Sequence, residues 1–275
     1  MDVIKKYEPW ISYWVSEPDK GQSDAINKGI EKCTGEIFNW ICSDDFLEAD
    51  ALRTVAEDLI NPGKNVFCGV ARLLYGDNSN YATTPLLSSV EEMIFSAQIC
   101  QPATFFKFDV IGKLGPTNSF LHYCMDAEWW VKYLITHGKQ GVAQSGDVLV
   151  NYRYHEASKT VSQSKFFEED FRAIRYSVLK SLRAPEFILK YYSNGKNQAY
   201  GLWTGIESIH ESVSKRKLLS FYTRRSIKES YLRREALSLI SNLMYDVYLK
   251  RFGFICYAKE AFVRCRLKMS GMKDQ

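Results

Sequence analysis

Residues 37–42, IFNWIC, run without a charge between Glu36 and the pair Asp44-Asp45. Six residues make a strand rather than a helix, and a continuous apolar run suits a strand covered on both faces of a sheet. Ser43-Asp44-Asp45 then emerges at the carboxyl end of that strand, where open α/β sheets place their ligands. Two adjacent carboxylates repel each other unless a cation or a helix N-terminus compensates. The residues leave two readings open. Ser43 or Asp44 caps the next helix, or the pair holds a hard divalent cation, Mn2+ or Mg2+, through oxygen ligands.

The surrounding pattern extends the sheet. Residues 11–15 (ISYWV) have strand composition, and Ala25, Ile26, Ile30 and Cys33 share one helical face. Residues 51–60 return to helical spacing, 65–74 read as a strand and 88–99 as a helix. QPATFFKFDVIGKLG combines a Thr-Phe-Phe strand with a short helix. Met125–His137 is an amphipathic helix that Gly138 stops, and residues 140–154 are again β-like. Strands and helices in alternation predict an α/β layered domain with a mostly parallel sheet over residues 1–163. Residues 164–275 carry long aromatic and basic helical patterns, a helical C-terminal extension, with breaks near 194–195 and 251–253.

Charge divides at the same place. Of the 36 Lys/Arg and 32 Asp/Glu, residues 1–164 hold 14 against 21, which leaves 22 against 11 for the remainder. The basic half suits an anionic membrane surface, where a lipid-linked acceptor would lie, or a solvated face on a packed helix. No nucleic-acid-binding motif accompanies it. The seven cysteines include no CxxC pair and read as small buried hydrophobes of a reducing compartment. With no leader-like apolar stretch at the start and no apolar run of spanning length, the expected location is the cytoplasm, free or against the inner face of the membrane.

Five segments then appear in a telling order: Asp19-Lys20-Gly21 with Asp24-Ala25-Ile26-Asn27-Lys28-Gly29, Ser43-Asp44-Asp45, Gln101-Pro102-Ala103-Thr104-Phe105-Phe106, Met125-Asp126-Ala127-Glu128-Trp129-Trp130, and Tyr152-Arg153-Tyr154-His155-Glu156-Ala157-Ser158-Lys159-Thr160. In this order they resemble the family 2 glycosyltransferases of the GT-A fold. The resemblance implies inverting sugar transfer from a nucleoside-diphosphate sugar to the hydroxyl of a saccharide or lipid-linked saccharide, in surface polysaccharide or glycolipid synthesis. It implies Asp126 as general base, with Glu128 as rival, and Asp45, Asp44 and His155 around the metal. It also assigns Asp19, Gly21, Asp24, Asn27, Ser43, Arg153 and Lys159 to the donor side. Gln101, Thr104 and Trp129 go to the acceptor or phosphate side, although a Trp-Trp pair on one helix is also a packing element.

Family members open with a strand–helix–strand unit that forms much of the nucleotide pocket. MDVIKKYEPW matches the segment after that unit, so the resemblance implies that the unit is missing and that an apolar strand edge is left open. The competing expectation is therefore an inactive homologue that serves as an interaction or acceptor-binding subunit.

Overall fold

A computed structural model describes residues 2–156, 158, 159, 163–193, 208–233, 239, 241–243, 245 and 246. The strands are β1 (Ile37–Phe38), β2 (Phe46–Leu47), β3 (Val66–Tyr75), β4 (Asn78–Thr83), β5 (Thr104–Lys107) and β6 (Val142–Arg153). The helices are α1 (Asp2–Tyr7), α2 (Gln22–Ile30), α3 (Ala51–Leu59), α4 (Val90–Ser96), α5 (Phe108–Leu114), α6 (Met125–His137), α7 (Ser164–Ser181), α8 (Glu186–Tyr192) and α9 (Lys215–Arg233).

The strands form one sheet in the order β1-β5-β3-β6-β2, with β4 hairpinned onto β3. The parallel pairing expected of the sheet is its longest ladder, β3 with β6, running from Val66↔Val142 to Leu74↔Arg153. The other pairings among the described residues are antiparallel, because β4 follows β3 through the two-residue turn Gly76-Asp77 and the short β1, β2 and β5 enter from the opposite direction. Helices cover both faces. Phe67, Phe105 and Leu149 point to α3, whereas Val66, Cys68 and Phe106 point to the larger core that α4, α5 and α6 share with α7, α8 and α9.

Helix α6 is the centre of that core. Trp129, Trp130 and Tyr133 are fully buried, and complete burial of a large apolar side chain contributes about 1.5–3 kcal/mol. Gly138, at φ 69°, ends the helix and donates its N–H to the carbonyl of Leu134.

Two strand expectations change. Residues 11–15 form no strand; Tyr13 and Val15 are about half exposed, and a strand composition without a neighbouring edge to pair with does not make a ladder. The run 36–42 pairs only at Ile37 and Phe38, at the end of the sheet. Beyond Phe38 it is held by side chains: Asn39 Nδ2 donates to the carbonyl of Pro102 at 2.9 Å, and Gln101 Nε2 donates to the carbonyl of Trp40 at 2.7 Å. Among the described residues β1 is an edge strand that pairs with β5, although the Phe38 side chain is buried against Trp40, Phe108 and Trp129.

The C-terminal helices pack on the α/β layer through Phe95 with Phe221 and Tyr222. Basic residues of α9 meet acidic ones: Lys217 with Glu91 at 3.1 Å, Arg225 with Glu229 at 2.7 Å, and Arg224 with Asp246 at 3.8 Å. The breaks at 194–195 and 251–253, and most of the basic stretch after residue 233, lie outside the described residues. No helix among the described residues is long and apolar enough to cross a membrane.

Candidate active site

A cleft of about 880 Å³ opens beside the last residues of β1 and β6. Asp44 and Asp45 reach it from the turn after β1, and Asp126 from the first turn of α6. Gln101 enters from the 3-10 turn Gln101–Ala103, and Tyr152, Tyr154, His155 and Lys159 from the end of β6 onwards. Leu73, Tyr81 and Thr83 of the β3–β4 hairpin close the outer wall.

Asp126 is half-buried, and its carboxylate accepts the N–H of Ala127 at 2.8 Å. Burial pushes its pKa from 3.8 up to about 6, with the nearby Asp170 charge acting in the same direction. That value suits a proton acceptor working near neutrality.

Elsewhere on the lining, Asp44 Oδ2 lies 2.8 Å from His155 Nε2. This hydrogen bond holds the Asp44 carboxyl below its ordinary range. Asp45 Oδ1 accepts the backbone N–H of Arg153 at 3.0 Å, yet burial raises its pKa, with the Asp44 charge adding to the rise.

One ligand atom each from Cys42, Asp44 and Asp45 can lie within 4.8 Å of one another. The set fits a divalent cation through its carboxylate oxygens, which hard cations prefer. The Cys42 thiol is pushed up by burial and by both aspartates, so it stays protonated beside them. His155 is committed to Asp44, which makes it a partner that orients a ligand before it is a ligand itself. Lys159 Nζ contacts Gln22 Oε1 at 3.0 Å and the carbonyl of His122 at 3.1 Å, placing one positive charge on the cleft wall. Ala157 and Thr160 of the same segment lie outside the described residues.

Several residues assigned to the site face elsewhere. Glu128 is buried against Lys132 at 3.6 Å and accepts the N–H of Asn118, so it does not reach the cleft; it stands two positions from Asp126, and helix residues share a face only when spaced by three or four. Trp129 is wholly buried among Phe38, Trp40 and Phe106 and acts in packing, because the core side of α6 needs its area. Thr104 is buried too, bonded to Thr84 and to the carbonyl of Cys100.

Asn27 clamps Thr117 through both its backbone N–H and its carbonyl, and Asp24 turns back to the N–H of Lys20 at 3.0 Å. The face of α2 that carries them meets the loop before α6 and the turn before α2 rather than the cleft. Asp19 accepts the N–H of Gly21 at 2.8 Å, and Gly21 takes φ 114°, a conformation that favours glycine and starts α2. Arg153 lays its guanidinium over Phe46 at 5.0 Å, away from the cleft, and Ser43 is exposed in the turn.

Sequence reasoning missed Cys42 and Gln22 at the site, as well as Tyr81 on β4. Gln22 precedes the Asp24 motif by two residues and could be found only from its contact with Lys159. Tyr81 was signalled by Tyr75-Gly76-Asp77-Asn78, a two-residue hairpin turn between β-prone runs.

The α/β sheet, with Asp44, Asp45 and Asp126 lining one cleft, agrees with the GT-A fold expected from the resemblance. The same fold is found in S. aureus TarS 1–349, at a TM-score of 0.51 and 14% identity over 88% of this chain and 75% of that one. Residues 2–123 match the model of glycosyl transferase family 2. An uncharacterized glycosyltransferase of Rickettsia typhi is 26% identical over 202 residues, 68% of this chain and 60% of that protein. A PGL/p-HBAD biosynthesis glycosyltransferase of Mycobacterium tuberculosis is 31% identical over 41% of this chain and 43% of its own length. The chain thus spans less than two thirds of the length of these curated relatives.

Proposed function

We propose that the chain moves a sugar from a nucleoside-diphosphate sugar to an acceptor hydroxyl with inversion, Asp126 serving as general base and Asp44 and Asp45 as the holders of a divalent cation. The observation that carries this reading is that Asp126, Asp44 and Asp45 line one cleft. In the step, the acceptor hydroxyl gives its proton to Asp126 as its oxygen bonds to the anomeric carbon. The bond from that carbon to the diphosphate oxygen breaks on the opposite face, and the electron pair leaves with the diphosphate. A cation at Asp44 and Asp45 supplies charge neutralisation for that leaving group. Lys159 adds a second positive charge on the cleft lining, and Gln101 holds the Trp40 carbonyl so that the turn bearing the aspartates keeps its place.

The tyrosines at 81, 152 and 154 give the acceptor side faces on which a sugar can lie. The proposed acceptor is a glycolipid or surface saccharide, with the enzyme at the cytoplasmic side of a membrane; one mycobacterial relative is named for PGL/p-HBAD biosynthesis. Peripheral membrane contact rests on the basic residues of α9, several of which are already paired with acids. A second reading, an acceptor-binding or interaction subunit without turnover, is favoured by the two-residue edge strand β1 and by Asp24 and Asn27 facing away from the cleft.

The test is Asp126→Asn. Turnover should fall by roughly 10²–10⁴-fold, with nucleoside-diphosphate binding retained. Unchanged turnover removes Asp126 as the base, and a wild-type chain that binds donor without turnover supports the second reading.

A further inference from the structure

Asp170 belongs to α7, in the C-terminal region, yet it ends against the start of α6. It is 2% exposed, and its Oδ2 accepts three consecutive backbone N–H groups, from His122 at 3.0 Å, Tyr123 at 2.8 Å and Cys124 at 3.1 Å. A helix leaves its first N–H groups without intrahelical partners, and Cys124, at the N-cap of α6, supplies no side-chain cap. The Asp170 carboxylate, from another helix, takes the N–H of that N-cap residue and of the two residues before it, at the end of α6 where the helix dipole favours negative charge. The same turn is tied further: Cys124 Sγ contacts the carbonyl of Phe167 at 3.7 Å, and Tyr123 packs on Phe167 at 5.3 Å between ring centroids. Phe167 and Phe171 also line the cleft, so α7 supplies both a wall and a clamp.

We propose that Asp170 is a positioning residue for sugar transfer: by holding the amides of residues 122–124 it fixes the first turn of α6 and thereby the place of Asp126, two residues further on. The proposal rests on Asp126 being the base. It makes the C-terminal helices part of the catalytic apparatus, since the side chain that aims the base comes from beyond the predicted boundary at residue 163. The Lys159–His122 carbonyl contact brings the closing segment of the α/β domain to the same loop, so three parts of the chain converge on the turn before Asp126. Displacing a reacting group by about 1 Å costs on the order of 100-fold in rate, so loosening this turn should act on turnover more than on donor binding.

The test compares Asp170→Ala and Asp170→Asn with Val178→Ala, which removes buried packing from the same helix without touching the amides. The full chain is assayed with Mn2+ and with UDP-glucose, UDP-N-acetylglucosamine and GDP-mannose in turn, reading the nucleoside diphosphate released to water. Amide exchange of residues 122–126 is measured alongside. Asp170→Ala should lower kcat by about 10- to 100-fold with donor KM unchanged, and speed exchange at 122–126. Asp170→Asn, which keeps an acceptor oxygen and folds more readily, should fall between it and the wild type. Val178→Ala should lose melting temperature with kcat and local exchange preserved. If the Asp170 variants lose melting temperature with kcat and exchange at 122–126 preserved, the behaviour expected of Val178→Ala, the side chain is a fold staple and the proposal is overturned. A wild-type chain silent with all three donors overturns the transferase reading itself, and the positioning role with it.

Discussion

Asp126 stands on a helix that buries most of its length in the main core, whereas Asp44 and Asp45 stand on a turn that follows a two-residue edge strand. The first is held by backbone geometry and by a carboxylate from a distant helix. The second is held by a short pairing of β2 with β6, by the Asp45 N–H to the Cys42 carbonyl, and by side-chain bonds: Asp44 to His155, Asp45 to the Arg153 N–H, and Trp40 and Asn39 to the 3-10 turn. Bonds of that kind are each worth about 1 kcal/mol net, so the aspartate side should yield to an arriving ligand more readily than the Asp126 side. The comparison separates two kinds of mutant phenotype. Changes near Asp126 should alter rate and fold together, and changes near Asp44 and Asp45 should alter ligand affinity with the fold untouched.

The sharpest way to break that contrast is the double substitution Asp44→Asn with Asp45→Asn. Mn2+-dependent binding of nucleoside diphosphate should vanish while the melting temperature holds; calorimetry and thermal unfolding on one sample check both. His155→Ala, which frees Asp44 from its one side-chain partner on that wall, should weaken cation affinity by roughly 10-fold, measured by Mn2+ titration.

The Asp126 side has a pH signature. Turnover should decline about 10-fold per pH unit below 6, as the base becomes protonated. The folded chain holds that proton more tightly than an unfolded one with the ordinary value of 3.8, so the charged carboxylate costs stability above pH 6. The cost fades as pH falls from 6 towards 3.8. Asp126→Asn should therefore stabilise the fold at pH 8, by about 1–3 kcal/mol in denaturant unfolding, and lose that advantage in acid. The smallest and most discriminating change is Asn27→Ala. Removal of its Thr117 bonds should cost about 1–3 kcal/mol and leave nucleotide affinity as it was; a weakened affinity would return Asn27 to the donor pocket.

Helix α6 could be read to its last residue because apolar spacing and a stopping glycine are local properties, and β3 and β6 because long buried runs are. ISYWV could not be judged, since its composition is that of a strand and the missing information is whether any edge stands beside it. The same limit applies to Asp24 and Asn27. Their spacing puts them on one face of α2, but which neighbour that face meets depends on a loop some 90 residues away. Asp44 and Asp45 were singled out by the uncharged run before them and Asp126 by a resemblance, and the convergence of the three on one cleft is a long-range fact that no window of sequence contains. Asp170 was invisible for the opposite reason. It lies in a region whose charge pattern drew the reading outward, towards a membrane, while its carboxylate points inward to backbone amides.

The most direct measurement is calorimetry of the full chain with uridine and guanosine diphosphates, each with and without Mn2+. Saturable binding of at least one diphosphate that requires Mn2+, and that is lost on substitution of Asp44 and Asp45, is the predicted result. Absence of metal-dependent binding for both would contradict the claim that this cleft holds a nucleotide sugar against Asp126.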